Sequence, residues 1–243
     1  MFHWKDDLTG SVKMNMHRAG RKAVVLLSGG MDSATCLAVA KDEGFECHAL
    51  TFDYGQRHHH EIRAAKKIAG VLGAKNHLIV RVELDRFGGS ALTDDIPVPD
   101  EPVDGIPPTY VPARNLVFLS LGTAYAEAVG AEAVFIGANQ VDYSGYPDCR
   151  GDFLEAFSQA ARLGTKCGRE GRSIEIRAPL LDLTKGQIVK LGLDLGVDFG
   201  ATHSCYSPSE DGSPCGKCPA CRIRADGFGQ AGLEDPAIRN RGT

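Results

Sequence analysis

The 243-residue chain has no apolar run long enough to cross a bilayer; stretches such as Ala23–Leu27 and Leu116–Leu121 fall far short of the ~20 residues a spanning helix needs. It has no surplus of positive charge either, with 27 Lys and Arg against 31 Asp and Glu and a formal net charge of −4. That excludes a global field for gathering nucleic acid, while leaving room for a local basic patch. The segment Met1–Gly20 contains no apolar stretch of signal-peptide length. It mixes Asp6 and Asp7 with Lys5, Lys13 and Arg18, and reads as a loosely ordered extension. A disulfide framework is missing too: Cys36, Cys47, Cys149 and Cys167 are scattered singly. The remaining cysteines sit at a spacing suited to a metal, and together the eight favour a reducing compartment, the cytoplasm.

What is present is an ordinary globular composition, 43% hydrophobic and 24% charged, at a length that fits one α/β domain burying about 70% or more of its unfolded surface. Ala23–Leu27 is a continuous apolar run ending at glycines, as expected for a strand buried on both faces of a parallel sheet. A helix should follow, capped by Asp32 or Ser33 and ended by Gly44. The alternation continues with strand-like Cys47–Phe52, a helix from about His58 to Leu72, and strand-like His77–Val82. A Pro- and Asp-rich loop over Gly88–Pro112, of a length that is often functional, precedes a helix over Ala113–Val129 and a strand at Ala133–Gly137. Helices over Gly151–Gly164 and Thr184–Leu195 flank a strand at Ile174–Arg177. The expected fold is α/β, an open, mainly parallel sheet with helices on both faces, followed by a small C-terminal metal-binding subdomain. In residues, this divides into an extension (1–21), a nucleotide-binding catalytic domain (22–202), a cysteine region (203–227) and a tail (228–243).

Ser28-Gly29-Gly30-Met31-Asp32-Ser33 joins the first strand to the first helix. Backbone N–H groups converge at such a helix start, and the glycines let a polyanion approach closely. Ser28 and Ser33 add hydroxyl donors, and Asp32 could hold Mg²⁺ beside the phosphates. The Gly-Lys-Ser/Thr ending of a Walker loop is lacking, so the γ-phosphate is not the expected transferred group. Gly-Gly alone would mark only a turn; the full hexapeptide after an apolar strand resembles the signature of the PP-loop ATP-pyrophosphatase superfamily, whose members adenylate their substrates.

Cys205-x9-Cys215-x2-Cys218-x2-Cys221 offers four thiolates, enough to close a tetrahedral structural zinc site. Three cysteines at this short spacing also occur in iron–sulfur ligation. His203 is near, but four cysteines suffice without it. The triple His58-His59-His60 is no metal signal, because consecutive helix residues diverge by about 100°.

Three further strings narrow the resemblance: Phe52-Asp53-Tyr54-Gly55-Gln56-Arg57-His58, Tyr110-Val111-Pro112-Ala113-Arg114-Asn115 and Ser144-Gly145-Tyr146-Pro147-Asp148-Cys149-Arg150. With the terminal Cys-Gly-Lys-Cys-Pro-Ala-Cys they resemble, in order, the motifs of the 7-cyano-7-deazaguanine synthase family over about Lys22–Gly227. The resemblance implies an ATP-dependent carbon–nitrogen ligase that uses 7-carboxy-7-deazaguanine, ammonia and ATP. It also implies one structural Zn²⁺ per chain, Mg²⁺ with ATP, a homodimer, and no nucleic-acid or membrane partner. It carries ATP binding onto Leu27, Ser28, Gly29, Gly30, Met31, Asp32, Ser33, Ala34, Thr35, Cys36 and Leu37, and catalysis onto Asp32, Ser33, Lys185 and Arg114. For the deazaguanine it points to Arg57, Asn115, Asp142, Tyr146, Asp148 and Arg150. Met31 stands where the family often has a polar residue. A tRNA-thiolating PP-loop enzyme is the nearest rival, disfavoured by the acidic charge and the lack of an RNA-binding extension. A nucleotide-binding zinc module without turnover is the other.

Overall fold

The computed structural model describes residues 20–101, 103–141 and 145–239. Five strands, β1 (Lys22–Leu26), β2 (Glu46–Asp53), β3 (Asn76–Arg81), β4 (Ala133–Phe135) and β5 (Glu175–Arg177), form one sheet in the order β3-β2-β1-β4-β5. Every pairing is parallel, with Val24 of β1 opposite both His48 and Val134. All-parallel pairing requires a crossover between strands, and these crossovers place helices on the two faces.

Alternation along β1 divides the core. Ala23, Val25 and Leu27 face α1 (Met31–Asp42), α2 (His60–Val71) and α6 (Lys185–Asp194), packing with Leu37, Ile68, Ile188 and Val189. Val24 and Leu26 face the opposite side, against Leu119 of α3 (Arg114–Val129) and Leu154 of α4 (Gly151–Gly164). Residues such as Phe135, Leu37 and Leu119 are at most 1% exposed. Each contributes about 1.5–3 kcal/mol by leaving water. A short α5 (Lys166–Arg169) follows α4.

The expected elements appear within a residue or two of their sequence-read bounds, with β4 and β5 shorter. One expectation is corrected: neither Asp32 nor Ser33 caps α1. Its N-cap is Gly30, with no side-chain cap. The Ser33 hydroxyl instead donates to the Gly30 carbonyl, and the Asp32 carboxylate faces Lys185.

The chain beyond 202 adds α7 (Pro219–Ala231) and α8 (Pro236–Arg239). Helix α7 runs through position 227 and packs on α6, so the cysteine region and the α/β body share a helix. The extension before residue 20 lies outside the described residues.

Candidate nucleotide and metal sites

The sheet order reverses direction at β1 and β4: the chain steps outward from β1 to β2 and β3, then returns to β4 and β5. Ligands of open α/β sheets bind beyond the strand carboxyl ends at such a switch point. A cleft of ≈ 270 Å³ lies there, lined by Ser28 and Gly30–Ser33 after β1 and by Ile136–Asn139 after β4.

The loop after β1 is held in shape from several sides. Gly29 adopts φ +92°, and a Cβ on it would stand 2.3 Å from the Glu61 carbonyl oxygen and 2.8 Å from the Ala65 nitrogen. No side chain fits there, so α2 supports the loop from behind. Gly137 is also crowded, though less tightly, since its Cβ would meet the Asp32 backbone at 3.0 Å. Within the loop, the Ser28 amide donates to Ser33 Oγ at 3.2 Å, and the two hydroxyls lie 3.0 Å apart. The His203 amide donates to the Gly29 carbonyl at 2.9 Å, which ties the start of the cysteine region to the loop.

Lys185 is 6% exposed and lines the cleft, its Nζ donating to Asp32 Oδ2 at 2.9 Å and Oδ1 at 3.1 Å. Thr184 caps α6 through a full capping box. Asn139 Nδ2 donates to the Leu180 and Leu183 carbonyls, joining the end of β4 to the turn that delivers Lys185. An ammonium group and a carboxylate thus meet at the N-terminal end of α1, where backbone N–H groups and the helix dipole favour anions.

The far half of the cleft is aromatic. Tyr54, Phe118, Tyr146 and Tyr206 line it together with Arg114, Asn115, Glu61 and Cys149. The Arg114 guanidinium stands 5.8 Å from the Tyr54 ring centroid. It follows Ala113, which holds a left-handed φ of 54° and whose amide donates to the Tyr110 hydroxyl. Thr109, at the end of the Pro- and Asp-rich loop, hydrogen-bonds the Tyr146 hydroxyl at 2.8 Å, so that loop closes one side of the cleft. Burial raises the Glu61 carboxyl to about 7, with nearby Arg114 pulling the other way. Burial and the neighbouring Asp148 push the Cys149 thiol up to about 11, which leaves it protonated and a poor nucleophile.

The residues singled out by sequence fall into groups. Leu27, Ser28, Gly30–Ser33, Arg114, Asn115, Tyr146 and Lys185 line the cleft. Ala34, Thr35, Cys36 and Leu37 are fully buried inside α1, behind it. Asp148 is buried, with Oδ2 accepting from the Asn115 amide at 2.9 Å and its carbonyl from Asn115 Nδ2 at 3.2 Å, so it positions Asn115 rather than opening to the cleft. Arg150 pairs with Asp152 on the surface, and Arg57 donates to the Ile96 carbonyl; neither lines the cleft. Asp142 lies outside the described residues. Sequence reading missed Glu61, Phe118, Gly137, Asn139 and Arg224. Gln56 stood in a quoted string without a role; it is buried and accepts from the Tyr54 amide at 2.8 Å.

At the cysteine end, the sulfurs of Cys205, Cys215, Cys218 and Cys221 all lie within 4.8 Å of one another, with Cys205 and Cys218 4.0 Å apart. A tetrahedral zinc with ~2.3 Å bonds would set its sulfurs about 3.8 Å apart, so the donor set fits such an ion. The amides of Ser207 and Cys215 donate to the Cys205 sulfur, and that of Cys218 to the Cys215 sulfur. His203 is not part of this cluster; its ring lies by the Cys205 carbonyl and the cleft.

A parallel sheet with a glycine phosphate loop at its switch point, a Lys–Asp pair beside that loop and no Walker lysine defines a PP-loop protein. More particularly, the chain belongs to the family described as queuosine biosynthesis protein QueC, whose model matches residues 22–232. It is 56% identical over 217 residues to a 7-cyano-7-deazaguanine synthase of Alcanivorax borkumensis, covering 89% of this chain and 98% of that one. The 7-cyano-7-deazaguanine synthase of Paramagnetospirillum magneticum is 57% identical over 222 residues, with 89% and 98% covered. Among solved structures, NMN synthetase from Francisella tularensis aligns at 18% identity and a TM-score of 0.48, over 93% of this chain and 84% of that one.

Proposed function

We propose that this chain is an ATP-dependent ligase that converts 7-carboxy-7-deazaguanine and ammonia to 7-cyano-7-deazaguanine in queuosine biosynthesis. The observation that supports the reading is the cleft itself: in a chain of this family, a glycine loop at a helix start and an aromatic half share one cavity. A carboxylate is a poor electrophile until its oxygen joins a good leaving group, and adenylation supplies one. The substrate carboxylate attacks the α-phosphorus of ATP, pyrophosphate leaves, and ammonia then displaces AMP to give the amide. A second ATP activates the amide oxygen. Loss of AMP and of the nitrogen-bound protons leaves the nitrile. Catalysis of this kind rests on positioning and charge stabilisation.

In this reading the amides and hydroxyls of Ser28–Ser33 grip the pyrophosphate portion, and Lys185 neutralises phosphate charge. Asp32 would hold Mg²⁺, whose charge offsets that of the phosphates. Arg114, Asn115 and Tyr146 face the deazaguanine, with Asp148 behind Asn115 and Arg57 toward the rim, while Asp142 and Arg150 are further candidates for recognising the base. Ala34–Leu37 act through the placement of α1. The four cysteines hold one structural Zn²⁺, which cross-links the C-terminal segment. The working form is a cytoplasmic homodimer with small-molecule partners only.

Incubation with ATP, ammonia and 7-carboxy-7-deazaguanine, followed by mass spectrometry of the base, tests the reaction. The nitrile should appear with AMP and pyrophosphate; absence of both nitrile and AMP would overturn the assignment. Thiolated tRNA as the product would replace it with the thiolase reading.

A further inference from the structure

Helix α7 connects the cysteine cluster to the phosphate site. Cys218 is its N-cap and Cys221 lies in its first turn, so an ion held by the four sulfurs would fix the start of this helix. One turn on, Arg224 donates to both Asp235 oxygens at 2.7 and 2.8 Å, to Thr202 Oγ1 and to the Phe199 carbonyl. Farther along, Gly227 lies against Lys185. A Cβ on Gly227 would stand 2.4 Å from Lys185 Cγ, 3.1 Å from its Cβ and 3.4 Å from its carbonyl carbon. Gln230 then accepts from the Gly186 amide at 3.0 Å, satisfying a donor in the first turn of α6.

These contacts are made at the root of the lysine side chain, not at its mobile end. A methyl group at 227 requires Lys185 to turn about its first bonds or α6 and α7 to separate. Either movement takes Nζ away from the Asp32 carboxylate, which it now meets at 2.9 and 3.1 Å. Helix propensity points the other way, because alanine favours a helix interior over glycine.

We propose that Gly227 is a positioning residue for adenylation: the bare backbone of α7 at this point sets where Lys185 Nζ stands, so the cysteine end governs the phosphate end through one helix. This rests on the reading of Lys185 as the phosphate-neutralising group.

The test uses full-length wild-type protein, G227A, K185A and the double variant. Metal content, thermal melting and the kcat and KM of carboxylate-dependent pyrophosphate release are measured for each. G227A should keep the wild-type metal content and melt within a few degrees of wild type, because alanine's helix propensity offsets part of the crowding, while pyrophosphate release falls about tenfold or more. In the K185A background the same substitution should change the rate less than about twofold, because contacting residues are not additive. Equal losses in both backgrounds, or a G227A rate equal to wild type, would overturn the proposal. If G227A loses metal or melts early, Gln230→Ala, which removes only the bond to Gly186, takes its place with the same expected dependence on Lys185. A K185A enzyme as fast as the wild type would overturn the reading of Lys185 and this proposal together. A slow K185A with additive losses overturns this proposal alone.

Discussion

Two single residues carry consequences that reach the whole cleft. Gly29 combines a left-handed φ with backbone atoms of α2 pressed against its Cα. Gly29→Ala should therefore cost about 2–4 kcal/mol of stability and abolish ATP binding, as read by denaturant titration and calorimetry. Glu61 differs in kind: its folded pKa is raised, by burial, from 4.5 to about 7. The folded protein thus holds a proton that the unfolded chain releases across this window. Stability drawn from Glu61 is complete below about pH 4.5, falls as pH rises, and levels off above about 7. Glu61→Gln removes that loss. The stability of the variant relative to wild type should grow between pH 5 and 8 by on the order of 1–3 kcal/mol. Parallel stability curves for the two proteins would show that the carboxyl is solvated like any surface glutamate.

Among the elements, the parallel sheet and the helices around it were legible because buried strands read as unbroken apolar runs bounded by glycine, and Ala23–Leu27 is one. The glycine turn between β1 and α1 was legible for the same local reason. Helix α7 was not, although Pro219 at its first position and Gly232 just past its end, at φ 74°, are start and stop signals. The cysteines drew that segment toward a loop-like metal knuckle, and Gly227 and Gly229 weaken its helical pattern. Glu61 and Asn139 could not be read as site residues, because only the crossover topology brings α2 and the end of β4 to the loop after β1. The orientation of Asp148 was not legible: sequence marks a polar turn, but not that its carboxylate turns inward to the Asn115 amide. Helix α7 also carries a stability prediction. Arg224 and Asp235 are 4% and 7% exposed, so Asp235→Ala strands a buried guanidinium and should cost about 3–5 kcal/mol in a denaturant melt. Cys218→Ser should lower both metal content and melting temperature.

For the whole molecule, charge and site number set the expectations. A net charge of −4 opposes long-range attraction of polyanions, and filter binding should retain little tRNA at physiological salt. Elemental analysis should find about one zinc per chain; iron with a visible absorption band would instead assign the four cysteines to a cluster.

The amide of His203 on the Gly29 carbonyl has a temporal meaning as well as a spatial one. A ribosome makes the glycine loop well before His203, the cysteines, Gly227 and Asp235. A nascent chain with its sheet already formed would still lack the backbone donor for its loop and the helix lying along Lys185. Chains truncated before His203 should therefore release no pyrophosphate in the carboxylate-dependent assay.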